Sequence, residues 1–168
     1  IYSMEPEVKK VASIPVREPG YLHSFGMSKR YFIIAEFPLV VQSLKLVFRL
    51  KPFIENFNWK PGNSSRFLII DRVTGKLVAN MKTDAFFSFH HVNAFEVNDN
   101  LIVDLATYED AEIINSYYKN RLSENDHILP SGRMERFILD LKSKKVKSRN
   151  IVSDECIELP HFDYQNYN

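Results

Sequence analysis

The sequence has 168 residues, of which 45% are hydrophobic and 26% charged, a composition typical of a folded globular chain and not of a disordered one. Its 22 basic and 21 acidic residues give a net charge of +1, so no broad positive field favours nucleic acid as a partner. Cys156 is the single cysteine, which excludes an internal disulfide and a cysteine-built metal site and indicates a reducing compartment such as the cytoplasm.

Short runs of β-branched and aromatic residues, separated by Gly, Pro, Asn or Asp, recur along the chain and predict strands. In chain order the predicted strands cover residues 21–26, 31–37, 66–71, 76–81, 87–95, 101–106, 133–141 and 146–151. Turn residues at 73–76 and 98–100 predict hairpins between strands that are neighbours in sequence.

Two stretches, residues 39–50 and 110–122, carry apolar residues at roughly helical spacing and predict helices between the strands. The predicted fold class is therefore all-β with short helical insertions. Repeated antiparallel hairpins suit either a propeller or a sandwich, and periodicity does not separate these two architectures.

Adjacent histidines, His90 and His91, lie in the predicted strand 87–95. Side chains on a strand alternate between its faces, so only one of the two can point to a given centre. His90 shares its predicted face with the small residues at 88, 92 and 94, which leave room for a metal ion, and His23 offers a second such histidine in the strand 21–26. Imidazole suits iron, zinc or copper, but two imidazoles are an incomplete set, so further ligands are expected outside this chain. The alternative for each histidine is a hydrogen-bonded core residue.

Three segments, residues 18–27, 89–96 and 158–164, resemble in order three signature segments of the carotenoid cleavage oxygenase family, which includes carotenoid, apocarotenoid and stilbene oxygenases and the retinoid isomerohydrolase. The resemblance implies a seven-bladed β-propeller. The chain opens without an initiator methionine, and we expect residues 1–168 to be an internal segment of that single domain, with about three of its blades.

The resemblance also implies one Fe2+ ion on the propeller axis, bound by four histidines. His23 matches the second ligand and His90 the third, whereas His91 matches a position that is not a ligand. Glu158 matches a glutamate that accepts a hydrogen bond from the outer ring nitrogen of a ligand, and His90 is the partner we expect for it. His161, where the family often has Arg or Gln, is not expected to bind metal, and no catalytic side chain beyond the metal ligands is predicted.

The implied reaction is cleavage of a conjugated C=C bond of a carotenoid or apocarotenoid, with dioxygen as co-substrate, into two carbonyl products. An apolar polyene would lie in a tunnel that sets which bond meets the iron. The alternatives are stilbene cleavage or retinoid isomerohydrolysis on the same iron, or a non-catalytic propeller that binds an apolar ligand or partner. The chain alone is expected to be inactive, and no oligomeric state is predicted.

No apolar run reaches the roughly 20 residues that span a bilayer. Residues 39–51 instead combine apolar residues with cations, the pattern of a helix lying in a membrane interface, and Leu44, Val47 and Phe48 are the predicted membrane contacts. We therefore expect a cytoplasmic protein with peripheral membrane contact. The alternative is a helix packed on the outside of the propeller.

Overall fold

The chain is built mainly of antiparallel strands in a computed structural model that describes residues 2–3, 9–41, 51–123 and 128–161. The strands are β1 (Tyr2–Ser3), β2 (Lys9–Lys10), β3 (Gly26–Met27), β4 (Tyr31–Glu36), β5 (Leu39–Val41), β6 (Phe57–Trp59), β7 (Ser65–Asp71), β8 (Leu77–Thr83), β9 (Phe87–Val97), β10 (Asn100–Tyr108), β11 (Arg133–Asp140) and β12 (Lys145–Ser153). The helical segments are a 3₁₀ helix (Phe53–Asn56), α1 (Glu112–Ser116) and α2 (Lys119–Leu122). The prediction of an all-β chain with short helical insertions is confirmed.

Two four-stranded antiparallel sheets form the body of the structure, with strand orders β3-β4-β7-β8 and β9-β10-β11-β12. The pairs β1-β2 and β5-β6 form separate two-stranded sheets. The predicted hairpins are present: β7 and β8 are joined through Gly75, and β9 and β10 through Asn98, each with a positive φ that such turns require. Four-stranded antiparallel sheets of this kind are the repeating unit of propellers.

The two sheets share one apolar core. On β4 the burial alternates residue by residue, which reflects the period of a strand with one face on the core. Phe67 of β7 and Phe137 of β11 are fully buried, with ring centroids 5.0 Å apart, so they join the sheets directly. Burial of each ring contributes about 1.5–3 kcal/mol. This packing brings β3, at the edge of the first sheet, against β9, at the edge of the second.

Strand β9 is irregular around its two histidines. Its register with β10 shifts between Asp104 and Leu105 and again between Leu105 and Thr107, which places irregularities on both sides of His91, with His90 inside the second one. A Cβ added to Gly26 would lie 2.9 Å from His91 Cδ2 and 3.6 Å from Ala94 Cβ, so these two side chains point to the same side. The prediction that Ala94 shares the face of His90 is therefore wrong, because the bulges interrupt the alternation.

Three predicted elements differ from the structure. Residues 21–25 are not a strand; Tyr21 N–H instead donates to the Leu39 carbonyl at 2.8 Å, and the regular strand is confined to β3. The predicted helix 39–50 begins as strand β5, and residues 42–50 lie outside the described residues. The predicted helix 110–122 is divided into α1 and α2, because Tyr118 has an extended backbone between them.

The predicted membrane contacts Leu44, Val47 and Phe48 all lie in the stretch 42–50, outside the described residues. Within the ranges that the structure describes, no helix is long and apolar enough to cross a bilayer.

Candidate metal centre

The fold brings His23 and His90 together, although they are far apart in sequence. Their ring centroids lie 5.2 Å apart with the planes at 83°. His23 lies in the irregular segment before β3, and His90 lies in the bulged part of β9. At this spacing two imidazole nitrogens can contact one ion, each at about 2.1 Å.

Both rings are hydrogen-bonded through Nδ1. His90 Nδ1 lies 2.5 Å from Oε2 of Glu158, and His23 Nδ1 lies 3.1 Å from the hydroxyl oxygen of Tyr21. A carboxylate accepts a hydrogen bond from Nδ1–H, which favours that tautomer of His90 and leaves the lone pair of Nε2 for a cation. The glutamate is thus placed where it can orient a metal-binding histidine.

Glu158 is itself held by two donors. The Tyr108 hydroxyl donates to Oε1 at 2.7 Å, and the Leu159 backbone N–H donates to Oε2 at 3.2 Å. Burial, and after it the hydrogen bond to Glu158, raises the pKa of Tyr108, so the phenol stays a neutral donor. Leu159 has φ of 51°, a left-handed conformation that costs a residue with a Cβ about 1–2 kcal/mol. The backbone strain lies directly beside the carboxylate that contacts His90.

Gly132 lets the Glu158 segment approach β10. Its carbonyl oxygen accepts a hydrogen bond from the Ile157 N–H at 3.3 Å. A Cβ at Gly132 would meet the Ile157 carbonyl oxygen at 3.0 Å and the Tyr108 ring at 3.0 Å. A side chain at this position would therefore press apart the two elements that meet at Glu158.

His91 points away from this pair. Its Nδ1 lies 3.0 Å from the hydroxyl oxygen of Ser24, and its Nε2 is buried with no hydrogen-bond partner among the described residues. Burial, with a smaller contribution from nearby His90, lowers the pKa of His91 to about 3, so its ring is neutral. The absence of a side chain at Gly26 gives the ring its space. His91 therefore serves packing and hydrogen bonding on the far side of β9.

Aromatic rings form one wall of the site. Phe89 lies 5.4 Å from the ring of His23 and 6.2 Å from that of His90, and Tyr117 lies 6.3 Å from Phe89. The side chains of His90 and Glu158 are 24% and 20% exposed. His23 is itself exposed, so the pair lies beside an aromatic wall and is open to solvent on its other side.

Phe86 and Phe87, which precede Phe89 in sequence, are fully buried in the core and are not part of this wall. Sequence reasoning missed Tyr21, although it lies in the first motif, and it missed Tyr108, for which the pattern gave no signal. His161 is exposed and takes no part in the site.

The two histidines fit a divalent transition metal but do not complete its coordination. Two imidazoles, one of them hydrogen-bonded to a carboxylate, are ligands suited to Fe2+. Within the described residues, no group of three or more His, Cys, Asp or Glu side chains could hold a metal ion. A catalytic metal usually needs at least three protein ligands, so any such site would need ligands beyond this pair.

Comparison with known proteins identifies one family model and several relatives with related names. The family model described as retinal pigment epithelial membrane protein (RPE65) matches residues 1–168. The carotenoid isomerooxygenase of Drosophila melanogaster is 36% identical over 143 residues, which cover 78% of this chain and 23% of that protein. The mitochondrial carotenoid-cleaving dioxygenase of Macaca fascicularis is 35% identical over 135 residues, 74% of this chain and 24% of that protein. The chain thus spans about a quarter of the length of these relatives.

Solved structures agree with the sequence relatives. The crystal structure of cobalt-substituted Synechocystis ACO superposes with a TM-score of 0.70 at 25% identity, over 83% of this chain and 28% of that one. An ACO/RPE65 chimera superposes with a TM-score of 0.71, also at 25% identity, over 84% of this chain and 29% of that one. The described part of the chain therefore has the fold of these solved structures.

Proposed function

Because this chain belongs to the carotenoid oxygenase family of the retinal pigment epithelial membrane protein, we propose that the whole protein is an Fe2+-dependent dioxygenase that cleaves a conjugated C=C bond of a carotenoid or apocarotenoid into carbonyl products. The observation that carries the proposal is the approach of the His23 and His90 rings, with the Glu158 carboxylate on His90. The sequence motifs point to the same three residues, His23, His90 and Glu158.

His23 and His90 would hold the iron through Nε2, with the remaining ligands outside this chain. Bound Fe2+ supplies a redox-active centre for the reaction of dioxygen with an alkene. Glu158 accepts a hydrogen bond from Nδ1–H of His90 and orients the ring, with Nε2 left for the ion. Tyr108 donates to the same carboxylate and holds it in place.

The substrate class follows from the relatives and from the aromatic wall. The Drosophila melanogaster and Macaca fascicularis proteins are both named for carotenoid chemistry, and a polyene is apolar along its length. Phe89 presents a half-buried ring beside both histidines. Such a surface excludes water from the reacting bond and packs against an extended apolar chain.

A second reaction on the same site, isomerisation of the polyene coupled to its cleavage, is favoured by the names of two insect relatives. The proteins of Drosophila melanogaster and Galleria mellonella are both called carotenoid isomerooxygenases, and the latter is 32% identical over 161 residues, 89% of this chain. Both reactions would use the same histidines.

Aerobic incubation of the iron-loaded whole protein with β-carotene, an apocarotenal and a stilbene tests the proposal. Aldehyde products from a carotenoid substrate are the expected result, and their double-bond geometry separates simple cleavage from coupled isomerisation. Turnover of the stilbene alone would make the protein a stilbene oxygenase. Iron-loaded protein that turns over none of the three would contradict the assignment and favour a propeller that binds an apolar ligand without chemistry.

A further inference from the structure

The hydroxyl group of Ser24 connects the two histidine segments. Its Oγ donates a hydrogen bond to the Phe89 carbonyl oxygen at 2.7 Å and accepts one from the His91 backbone N–H at 3.1 Å. Phe89 and His91 flank His90, and Ser24 follows His23 in the chain. The Ser24 hydroxyl therefore joins the backbone on both sides of His90 to the residue that follows His23.

A third contact uses the remaining capacity of this hydroxyl. A serine hydroxyl has one proton and two acceptor lone pairs. The proton goes to Phe89 and one lone pair to the His91 N–H, so the ring contact at 3.0 Å requires His91 to donate from Nδ1–H. That tautomer leaves Nε2 as the unprotonated ring nitrogen, the atom found buried without a partner among the described residues. Alanine could make none of these three contacts.

Regular strand pairing does not position either histidine. His23 precedes β3 and lies outside the sheet ladder, and in the pairing of β9 with β10 the register moves from the His91–Leu105 pair to the Ser88–Thr107 pair, so His90 falls within the irregular stretch. Outside a regular ladder, the position of a side chain depends on its specific local contacts. The Ser24 hydroxyl supplies hydrogen bonds at this point.

We propose that Ser24 is a positioning residue of the metal centre, whose hydroxyl fixes His23 and His90 at the spacing that one ion requires. The inference rests on the proposed function, since it takes both rings to bind the same ion. Ser24 touches neither ring of the pair and acts only through the backbone that carries them. Its contribution is preorganisation, which would otherwise have to come from the energy of metal binding.

Titration of the metal-free whole protein with Co2+, followed by visible absorption, tests this without reference to turnover. Ser24→Ala should weaken Co2+ binding about tenfold, in the range that loss of a supporting hydrogen bond costs a metal site. Ser24→Thr keeps the hydroxyl and should bind more tightly than Ser24→Ala. Should Ser24→Ala not fold, Ser24→Cys replaces it, since a thiol is a weaker hydrogen-bonding group of similar shape.

Ser65 provides the matched control. Its hydroxyl donates to the Phe86 carbonyl oxygen and accepts from the Phe86 N–H, both at 3.1 Å, so it clamps a peptide in the same way but elsewhere in the core. Ser65→Ala should lower the melting temperature and leave the Co2+ affinity unchanged. Co2+ affinity in Ser24→Ala equal to that of the wild type, or equal losses in the Ala and Thr variants, would overturn the inference alone. Wild-type protein that binds no Co2+ would overturn the proposed function and this inference with it.

Discussion

The carboxylate of Glu158 lies 2.5 Å from Nδ1 of His90, 68 positions earlier in the chain, at the point where the third sequence motif meets the second. Glu158 also accepts the Tyr108 hydroxyl and the Leu159 N–H. This carboxylate is therefore held in place, and its hydrogen bond holds the orientation of the His90 ring.

Replacement of Glu158 by Gln tests that relationship. The neutral amide is a weaker hydrogen-bond acceptor for Nδ1–H of His90 than the carboxylate is. We therefore expect the whole protein to bind iron about 10–100-fold more weakly. Iron retained after dialysis against a chelator series measures this. Glu96→Gln is the control, because Glu96 lies on β9, the strand of His90, but binds Ser28 and Arg30. Equal iron affinity in the two variants would show that the Glu158 contact does not support a metal ligand.

Gly132→Ala tests whether the approach of the Glu158 segment to β10 matters. The added Cβ would lie 3.0 Å from both the Ile157 carbonyl oxygen and the Tyr108 ring, so these groups must move by a few tenths of an ångström. We expect a lower melting temperature together with weaker iron binding. Gly62→Ala is the matched change, since a Cβ there meets nothing within 4 Å and should alter neither quantity. Unchanged iron binding in Gly132→Ala would show that the approach of the Glu158 segment to β10 does not support the metal site.

A buried glutamate predicts a pH dependence of stability in the second sheet. Glu135 is 2% exposed; burial opposes its ionisation, but hydrogen bonds and charge from Arg149, joined by Arg133, lower its pKa below the usual 4.5. The folded pKa lies below the unfolded value, so the unfolded chain takes up the proton first as pH falls. The stabilisation is complete above about pH 4.5 and is lost as pH falls through the folded pKa.

Glu135→Gln should therefore destabilise the protein by about 2 kcal/mol near neutral pH, with a smaller difference from the wild type as the pH is lowered below 4.5. Denaturant unfolding at several pH values measures the difference. A difference that grows toward low pH would contradict the assigned sign. Glu112→Gln is the control, because its side chain is exposed on α1.

The membrane prediction concerns Leu44, Val47 and Phe48 and stays a prediction of the sequence. Charges at the apolar positions of an interfacial helix remove its buried area, so a Leu44→Glu/Phe48→Glu variant of the whole protein should pellet with liposomes less than the wild type does. A Val73→Glu variant is a useful control, because Val73 is a single exposed apolar residue, 92% accessible, in the turn between β7 and β8. Equal pelleting of the wild type and the double variant would favour the helix packed on the outside.

Sequence reasoning predicted the strands where a periodic pattern and turn residues coincide. β4, β7 and β11 fall within a residue of their predicted limits, because alternation with a buried face is a local signal. The segment 21–25 has the same alternation but is not a strand; its Tyr21 N–H bonds to Leu39 of β5, a contact that no local pattern predicts. The irregularities in β9 are likewise not predicted by an alternating pattern of apolar and polar residues.

The site shows the same division. Motifs selected His23, His90 and Glu158, and the structure places all three side by side. Tyr108 and Ser24 were not selected, because their roles arise from contacts across 50 and 65 positions of sequence. Ala94 does not share the face of His90 as the alternation predicts, but His90 and His91 do point apart, to Glu158 and Ser24 respectively.

The most direct test of the account is the iron content of the purified whole protein and of three histidine variants, measured by elemental analysis. Wild type and His161→Ala should each carry one iron per chain, since His161 is exposed and outside the site. His23→Ala and His90→Ala should each lose most of it, because each removes one of the imidazoles that meet at 5.2 Å. Iron content at the wild-type level in both variants, or wild-type protein without iron, would contradict the assignment of this pair as metal ligands.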